Sequence, residues 1–282
     1  MMIIKKVIFL AFFLIFKINM GFSCTLFAAA GNTVRHNGVI IVKNRDWKPD
    51  HFQMIKIIKK KNRLSYIGLF AKGGRVPGLK AGVNEKGLVV ITATAGVLPR
   101  KIRLKKPRTK KLISKLLQCA DLNCAIEKVK KMRGPRFILI ADVNGIAKVS
   151  MSPEKNPIIQ RINNGYLTSA NHYVNPRFVK YNQKKHKSSL KRYKRINELF
   201  QKSSKPLSTG DFIFFSNDQN NGRHNSIYRR GSRRKRTRTL STFLVDIASH
   251  NEIYLWVKLM NPQKKIKYYK YDLKKIFSKK EE

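Results

Sequence analysis

Cys24-Thr25-Leu26-Phe27-Ala28-Ala29-Ala30, followed by Lys43-Asn44-Arg45-Asp46-Trp47, are the two stretches on which the reading of this chain turns. Each belongs to a short apolar, strand-like run, over 25–30 and 39–43, and Gly, Asn and Arg punctuate the interval between them. Further strand-like runs follow over 54–58, 65–70 and 87–94, the last with the β-branched content of a strand buried on both faces. Helices are expected over 110–118 and 122–132, closed by Gly134-Pro135. A hairpin turning at Asn144-Gly145 joins runs over 137–142 and 146–151. A strand over 166–170, a basic helix over 189–200 and strands over 240–246, 253–258 and 266–271 complete the chain. Strands come in groups with helices in pairs between them, which argues for an α+β fold rather than an alternating parallel one.

Outward from Cys24 toward the start, Lys5 and Lys6 form a basic region ahead of ten apolar residues, 7–16. That run is too short to cross a hydrocarbon core of roughly 30 Å as a helix. Gly21 and Ser23 supply small residues at the −3 and −1 positions of a cut before Cys24. Residues 1–23 are therefore expected to be a signal peptide, and 24–282 one exported, periplasmic or secreted, catalytic domain. A retained anchor is the competing reading. A lipid-modified cysteine would call for an apolar residue at −3, where Gly21 stands.

Removal of residues 1–23 would leave Cys24 with a free α-amine. A free thiol titrates near pH ~8.5 and a terminal amine at roughly 7.7–8.0, so near neutrality part of the amine can take the thiol's proton. Both groups sit on one Cα, so base and nucleophile come together without a separate histidine.

Composition narrows the alternatives. The chain has 282 residues, 42% of them hydrophobic, enough for a packed core. It carries 61 Lys+Arg against 15 Asp+Glu, a net +46. Of the cations 41 are lysines spread along nearly the whole chain, which marks solvated faces rather than a nucleic-acid groove. Nucleic acid is not an expected partner. Cys119 and Cys124, five apart, are read as two ordinary buried cysteines; a bridge between them would need a break in the helix, with Asp121 capping a second one. No metal cluster or phosphate-cradling loop is evident, so no cofactor is expected. Seven cations crowd 229–238, either a solvated loop or a site for an anionic envelope surface or substrate carboxylate. The oligomeric state is left open.

Cys24-Thr25, the Asn44-Arg45-Asp46-Trp47 motif, Gly82-Val83-Asn84-Glu85-Lys86-Gly87-Leu88, Ala170-Asn171-His172-Tyr173 and Arg238-Thr239-Leu240-Ser241-Thr242 together resemble the cysteine N-terminal nucleophile hydrolases. The branch most similar is that of the acyl-coenzyme A:6-aminopenicillanic acid acyltransferase-like proteins, with choloylglycine hydrolases, penicillin V acylases and acid ceramidase as cousins. The resemblance implies a four-layer αββα sandwich of two mainly antiparallel sheets, and hydrolysis of a linear amide in a small N-acyl substrate through a thioester on Cys24. It implies that Asp46 orients the α-amine and that Asn171 donates to the oxyanion. Lys43, Arg45, Thr94 and Arg238 are implied as substrate or oxyanion support. Lys43 stands where the cousins carry arginine, and Thr94 where the choloylglycine branch has asparagine. A papain-like dyad of Cys24 with His172 lacks that family's local signature, and His172 reads as structural. Two further functions stay open: an acyltransferase using the same acyl-enzyme, and a basic envelope protein binding anionic lipid or nucleic acid. The enzyme reading requires Asp46 and Asn171 to approach Cys24 and Cys24 to face a cleft.

Overall fold

The computed structural model describes residues 24–59, 61–74, 76–105, 107–154, 156–232 and 236–278. The expected signal peptide and positions 233–235 of the basic run lie outside the described residues. The described residues begin with β1 (Cys24–Ala30), β2 (Val39–Trp47), β3 (Phe52–Ile58), β4 (Tyr66–Lys72), β5 (Gly78–Asn84) and β6 (Val89–Thr94). Helices α1 (Arg100–Leu104), α2 (Leu112–Leu116) and α3 (Leu122–Lys130) follow, then β7 (Arg136–Asp142), β8 (Gly145–Met151), β9 (Ile158–Ile162) and β10 (Gly165–Ser169). Next come α4 (Pro176–Val179), α5 (Lys187–Lys202), α6 (Thr209–Ser216) and α7 (Gly222–Asn225). The last elements are β11 (Arg238–Ile247), β12 (Ile253–Leu259), β13 (Lys267–Asp272) and α8 (Leu273–Ser278).

The strands form two sheets, ordered β10-β1-β2-β11-β12-β13 and β3-β4-β5-β6-β7-β8-β9, with antiparallel neighbours throughout. Side chains alternate between strand faces, and three buried clusters follow from that alternation. Leu26, Ala28 and Ile41 meet Ile67, Val83, Ile91 and Leu139 between the sheets. Phe27, Ile40 and Val42 point outward to Ile196 and Phe200 of α5 and Phe212 of α6. On the other side Val90, Ile138 and Ile140 pack against Leu116 of α2 and Leu122 and Val129 of α3. The architecture is the expected α+β sandwich, helix–sheet–sheet–helix.

β5 and β9 went unread in the sequence, β5 because Gly78 and Gly82 interrupt its apolar pattern. α6 went unread too, although Ser208 and Asp211 form the capping box that announces it.

One expectation is overturned. Cys119 and Cys124 are joined in a disulfide, with Cα atoms 5.4 Å apart, and Cys124 is exposed rather than buried. The physical reason is the helix break: α2 ends at Leu116, and the Asp121 carboxylate accepts from Cys124 N at 2.8 Å to start α3. Asn84 secures this corner, donating from Nδ2 to Leu117 O and Cys119 O while Oδ1 accepts from Lys86 N and Leu88 N.

Candidate active site

Cys24 opens β1, an inner strand of the six-stranded sheet, with β10 on one side and β2 on the other. Arg45 stands directly opposite it in the β1–β2 ladder. The thiol belongs to the layer between the sheets, at 7% exposure, and Cys24 is the free cysteine among the described residues.

Asn171, just beyond β10, comes to Cys24 from 147 residues away: Cys24 N donates to its Oδ1 at 2.6 Å. Asn171 Nδ2 donates to the backbone oxygen of Thr94, at the end of β6, at 2.7 Å. Arg192 of α5 adds a donor to the same Oδ1 at 3.1 Å. Two donors converge on one amide atom and an acceptor faces the other, so the orientation of the amide is set by its neighbours. An amide NH2 carries two hydrogens, and Thr94 O takes one of them. Ser189 of α5 holds the Asn171 backbone, accepting from its N–H at 2.8 Å.

Arg192 is the residue the sequence reading missed. It is fully buried and donates from Nη1 to Cys24 O at 2.6 Å and to Thr25 Oγ1 at 2.8 Å. Burial, offset in part by Asp46 and Cys24, brings its guanidinium down to about 10. The signal was present: Ser189, Arg192, Ile196, Leu199 and Phe200 recur at helical spacing, so Arg192 lies on the buried stripe.

Asp46 lies one residue past Arg45 and its side chain leaves the opposite face of β2. Its Oδ1 accepts from Thr239 Oγ1 of β11 at 2.8 Å, and its Oδ2 stands 3.7 Å from Arg229 Nη1, an ion pair too long for a hydrogen bond. Burial raises its carboxyl above the ordinary range, while Arg229, Arg192 and Thr239 oppose the rise. No hydrogen bond joins Asp46 to Cys24 N, whose proton goes to Asn171. Arg229, rather than Arg238, supplies the guanidinium beside Asp46; Arg238 pairs with Trp47 across the β2–β11 ladder.

On the inner face, Lys43 is 2% exposed and donates from Nζ to Lys80 O at 2.6 Å and Thr92 O at 2.5 Å. Burial drives its ammonium down to about 7, with Arg45 and Arg136 adding to the fall and Cys24 opposing it. Arg45 shares a hydrogen bond of 2.8 Å between Nη2 and His51 Nδ1, and lies 5.0 Å from the centre of the Trp47 ring. Burial and the Arg45 charge bring His51 to about 4, which keeps the imidazole neutral against that cation.

His172 turns elsewhere. Its Nδ1 meets Ser189 Oγ at 2.8 Å, and its ring lies against His186 and Tyr193. Burial, with His186, Arg192 and Lys148 nearby, lowers it to about 4, as suits a neutral packing histidine. The cleft expected in front of Cys24 is not among the three large surface cavities described; the largest, about 1030 Å³, lies beside α2 and α3. No group of His, Cys, Asp and Glu among the described residues could hold a metal ion.

Comparison with known proteins follows this geometry. Residues 33–263 match the family of acyl-coenzyme A:6-aminopenicillanic acid acyl-transferase, a span that takes in Asp46, Thr94, Asn171 and Arg238 and begins after Cys24. No curated protein matches in sequence. Among solved structures, a cysteine-to-alanine mutant of conjugated bile acid hydrolase from Clostridium perfringens superposes with a TM-score of 0.52 at 12% identity, over 89% of this chain and 97% of that one. An arginine-to-leucine variant of the same hydrolase gives 0.48 at 10% identity, over 89% and 93%. The first of these shows a shared fold.

Proposed function

The chain belongs to the acyl-coenzyme A:6-aminopenicillanic acid acyl-transferase family, and from that premise we propose that it is an exported amidohydrolase whose nucleophile is the thiol of an N-terminal Cys24. The observation that carries the proposal is the bond from Cys24 N to Asn171 Oδ1. It anchors the atom that would become the catalytic amine, on the residue that also bears the nucleophile.

Once residues 1–23 are removed, Cys24 N is an amine with a lone pair. It takes the thiol proton, and the thiolate attacks the carbonyl carbon of a linear amide. The negative oxygen of the tetrahedral intermediate is met by the uncommitted N–H of Asn171 Nδ2; donors of this kind are worth roughly 2.7–4 kcal/mol where they have been removed. Collapse breaks the C–N bond, the leaving nitrogen takes its proton from the α-ammonium, and the acyl group stays as a thioester on Cys24. Water, deprotonated by the same amine, releases the acid; a second amine in place of water would make the enzyme an acyltransferase. Arg192 positions the site by binding Cys24 O and Asn171 Oδ1 together. Asp46 acts from the far face of β2 through the charges of Arg229 and Arg192.

The test compares three forms on a panel of N-acyl amides. The protein beginning at Cys24 should be active. Cys24→Ala should lose at least ~10³-fold in kcat/KM with its melting temperature preserved. A form with an uncleavable segment ahead of Cys24 should be equally inactive despite its thiol, because an amide nitrogen cannot accept the proton. Full activity in that third form would end the proposal.

A further inference from the structure

The outer face of the six-stranded sheet is covered unevenly. α6 packs on β2 and β11, and beyond it β12 and β13 carry the sheet to its edge. Alternation turns Leu255, Val257 and Leu259 of β12 inward to the core, and Tyr254, Trp256 and Lys258 outward. In register, Leu244, Trp256 and Lys270 form one row across β11, β12 and β13, and Thr242, Lys258 and Tyr268 form the next. Between these rows and the end of α6, where Ile213, Ser216 and Asn217 make a wall, lies a cavity of about 520 Å³.

Its chemistry is two-sided. Leu244 is buried at the floor and Trp256 is half-buried beside it, while Tyr268 is 70% exposed at the rim and Phe214, next to Ile213, is 66% exposed. Large apolar side chains are thus left facing water around a concave slot. The cations stand at the same rim. Lys270 Nζ lies 4.6 Å from the centre of the Trp256 ring and 5.0 Å from that of Tyr254. Lys258 Nζ donates to Asn217 Oδ1 at 2.9 Å and lies 4.9 Å from the Tyr228 ring centre. Their stems follow the aromatic surface and their charged heads reach its edge. Among the described residues neither lysine makes an ion pair with a carboxylate. The neighbouring acids are committed: Asp218 to Arg195 at 2.8 Å, Asp246 to His36 at 2.6 Å, and Asp272 to Lys275 N at 3.2 Å. Burial holds the Lys258 ammonium below its ordinary value, a shift that an anion beside it would reverse.

We propose that this cavity binds an anionic amphiphile, its apolar tail laid against Leu244, Trp256 and Tyr268 and its acidic head held at Lys258 and Lys270. The volume is that of a pocket for one small ligand, and an apolar lining with a few convergent polar groups is how such pockets are built. A slot between a helix end and a sheet face seats a single tail rather than the plane of a bilayer. The site lies across the sheet from the thiol: Thr242 meets Asn44 on one face of β2, and Arg45, opposite Cys24, leaves the other. It therefore stands apart from the reading of Cys24 as nucleophile.

The experiment reads Trp256 itself. The chain has two tryptophans, Trp47 and Trp256, and bromine quenches an indole at contact. In the full chain, ω-bromoundecanoate kept below its micelle concentration should quench part of the tryptophan emission saturably, and Trp256→Phe should abolish that quenching. The matched ω-bromoundecanol should need about 10-fold more, because the charge-assisted contact is lost. Lys270→Gln should erase most of that difference, and Tyr268→Ala should weaken acid and alcohol alike; both side chains are exposed, so the fold has little stake in them. Should a variant fail to fold, the preference for acid over alcohol in the unaltered protein, and its decline with salt, still decides. Vesicles of brominated phosphatidylglycerol form the second arm. Quenching by the free acid, whether or not the vesicles also quench, supports the ligand site; quenching by vesicles alone marks a membrane-facing patch and overturns the proposal. Equal binding of acid and alcohol, quenching undiminished in Trp256→Phe, or no quenching at all would overturn it too.

Discussion

The two faces of β2 are wired in opposite ways. On the face turned to α5 and α6, the polar side chains of β2 meet side chains and carbonyls of β11 and the α6–α7 region, and their charge is matched. Asn44 donates to Ser216 O and Ile227 O and accepts from Thr242 Oγ1, while Asp46 accepts from Thr239 and sits beside Arg229. On the face turned to the second sheet, Lys43 and Arg45 find backbone carbonyls, an imidazole and an aromatic ring, and no carboxylate. One strand thus separates a charge-matched polar network from one in which, among the described residues, Lys43 and Arg45 form no ion pair. The difference teaches that burial alone does not set a cation's partner: one face of β2 matches charge with charge, while the other satisfies its cations with neutral acceptors.

Three substitutions would sharpen or break that contrast. The largest effect should come from Asp46→Ala, which leaves the buried Arg229 without its counter-ion; a loss of ~3–5 kcal/mol in unfolding free energy is expected by denaturant titration. A loss below ~1 kcal/mol would mean that the outer network is not what holds the strand.

Lys43→Met should behave differently, with a pH dependence whose sign follows from burial. The Lys43 ammonium falls to about 7 in the folded protein against 10.5 ordinarily. Between those values the unfolded chain holds more protons, so stability rises with pH across the window; the contribution is complete above the unfolded value and gone below the folded one. Unfolding free energies of the two proteins, measured from pH 6 to 10, should therefore diverge in favour of the wild type by a few kcal/mol (~1.4 per pH unit at most). A constant difference would show that Lys43 is charged throughout and paired with something.

The smallest effect should come from Arg192→Lys. The charge survives but the fork that spans Cys24 O, Thr25 Oγ1 and Asn171 Oδ1 does not, and a fall of about 10-fold in kcat/KM is expected with little change in melting temperature. An unchanged kcat/KM would remove Arg192 from the site.

Most of the fold was legible because its signals are local. The runs ending at Ala30 and Lys43, the Asn144-Gly145 turn and the periodic helix around Ile196 each declare themselves within about ten residues. β5, with two glycines in seven positions, and the bridge between Cys119 and Cys124, which depends on where a helix breaks, did not. For the site, Cys24, Asp46 and Asn171 could be named from motifs, but their contacts could not. Resemblance pointed Asp46 at the α-amine, and the alternation of β2 turned it to Thr239 and Arg229 instead.

By itself, then, the sequence determined the two-sheet α+β architecture and the strand that begins with Cys24, and it singled out Asn171 as a candidate. Only the tertiary structure decided that Arg192 and Asn171, 168 and 147 residues from Cys24, close around it, and that Lys43 and Arg45 find backbone carbonyls and an imidazole as their partners. The reason is physical. Periodicity is a property of neighbours along the chain, whereas the partner of a buried charge is whatever the packing of distant strands and helices brings against it.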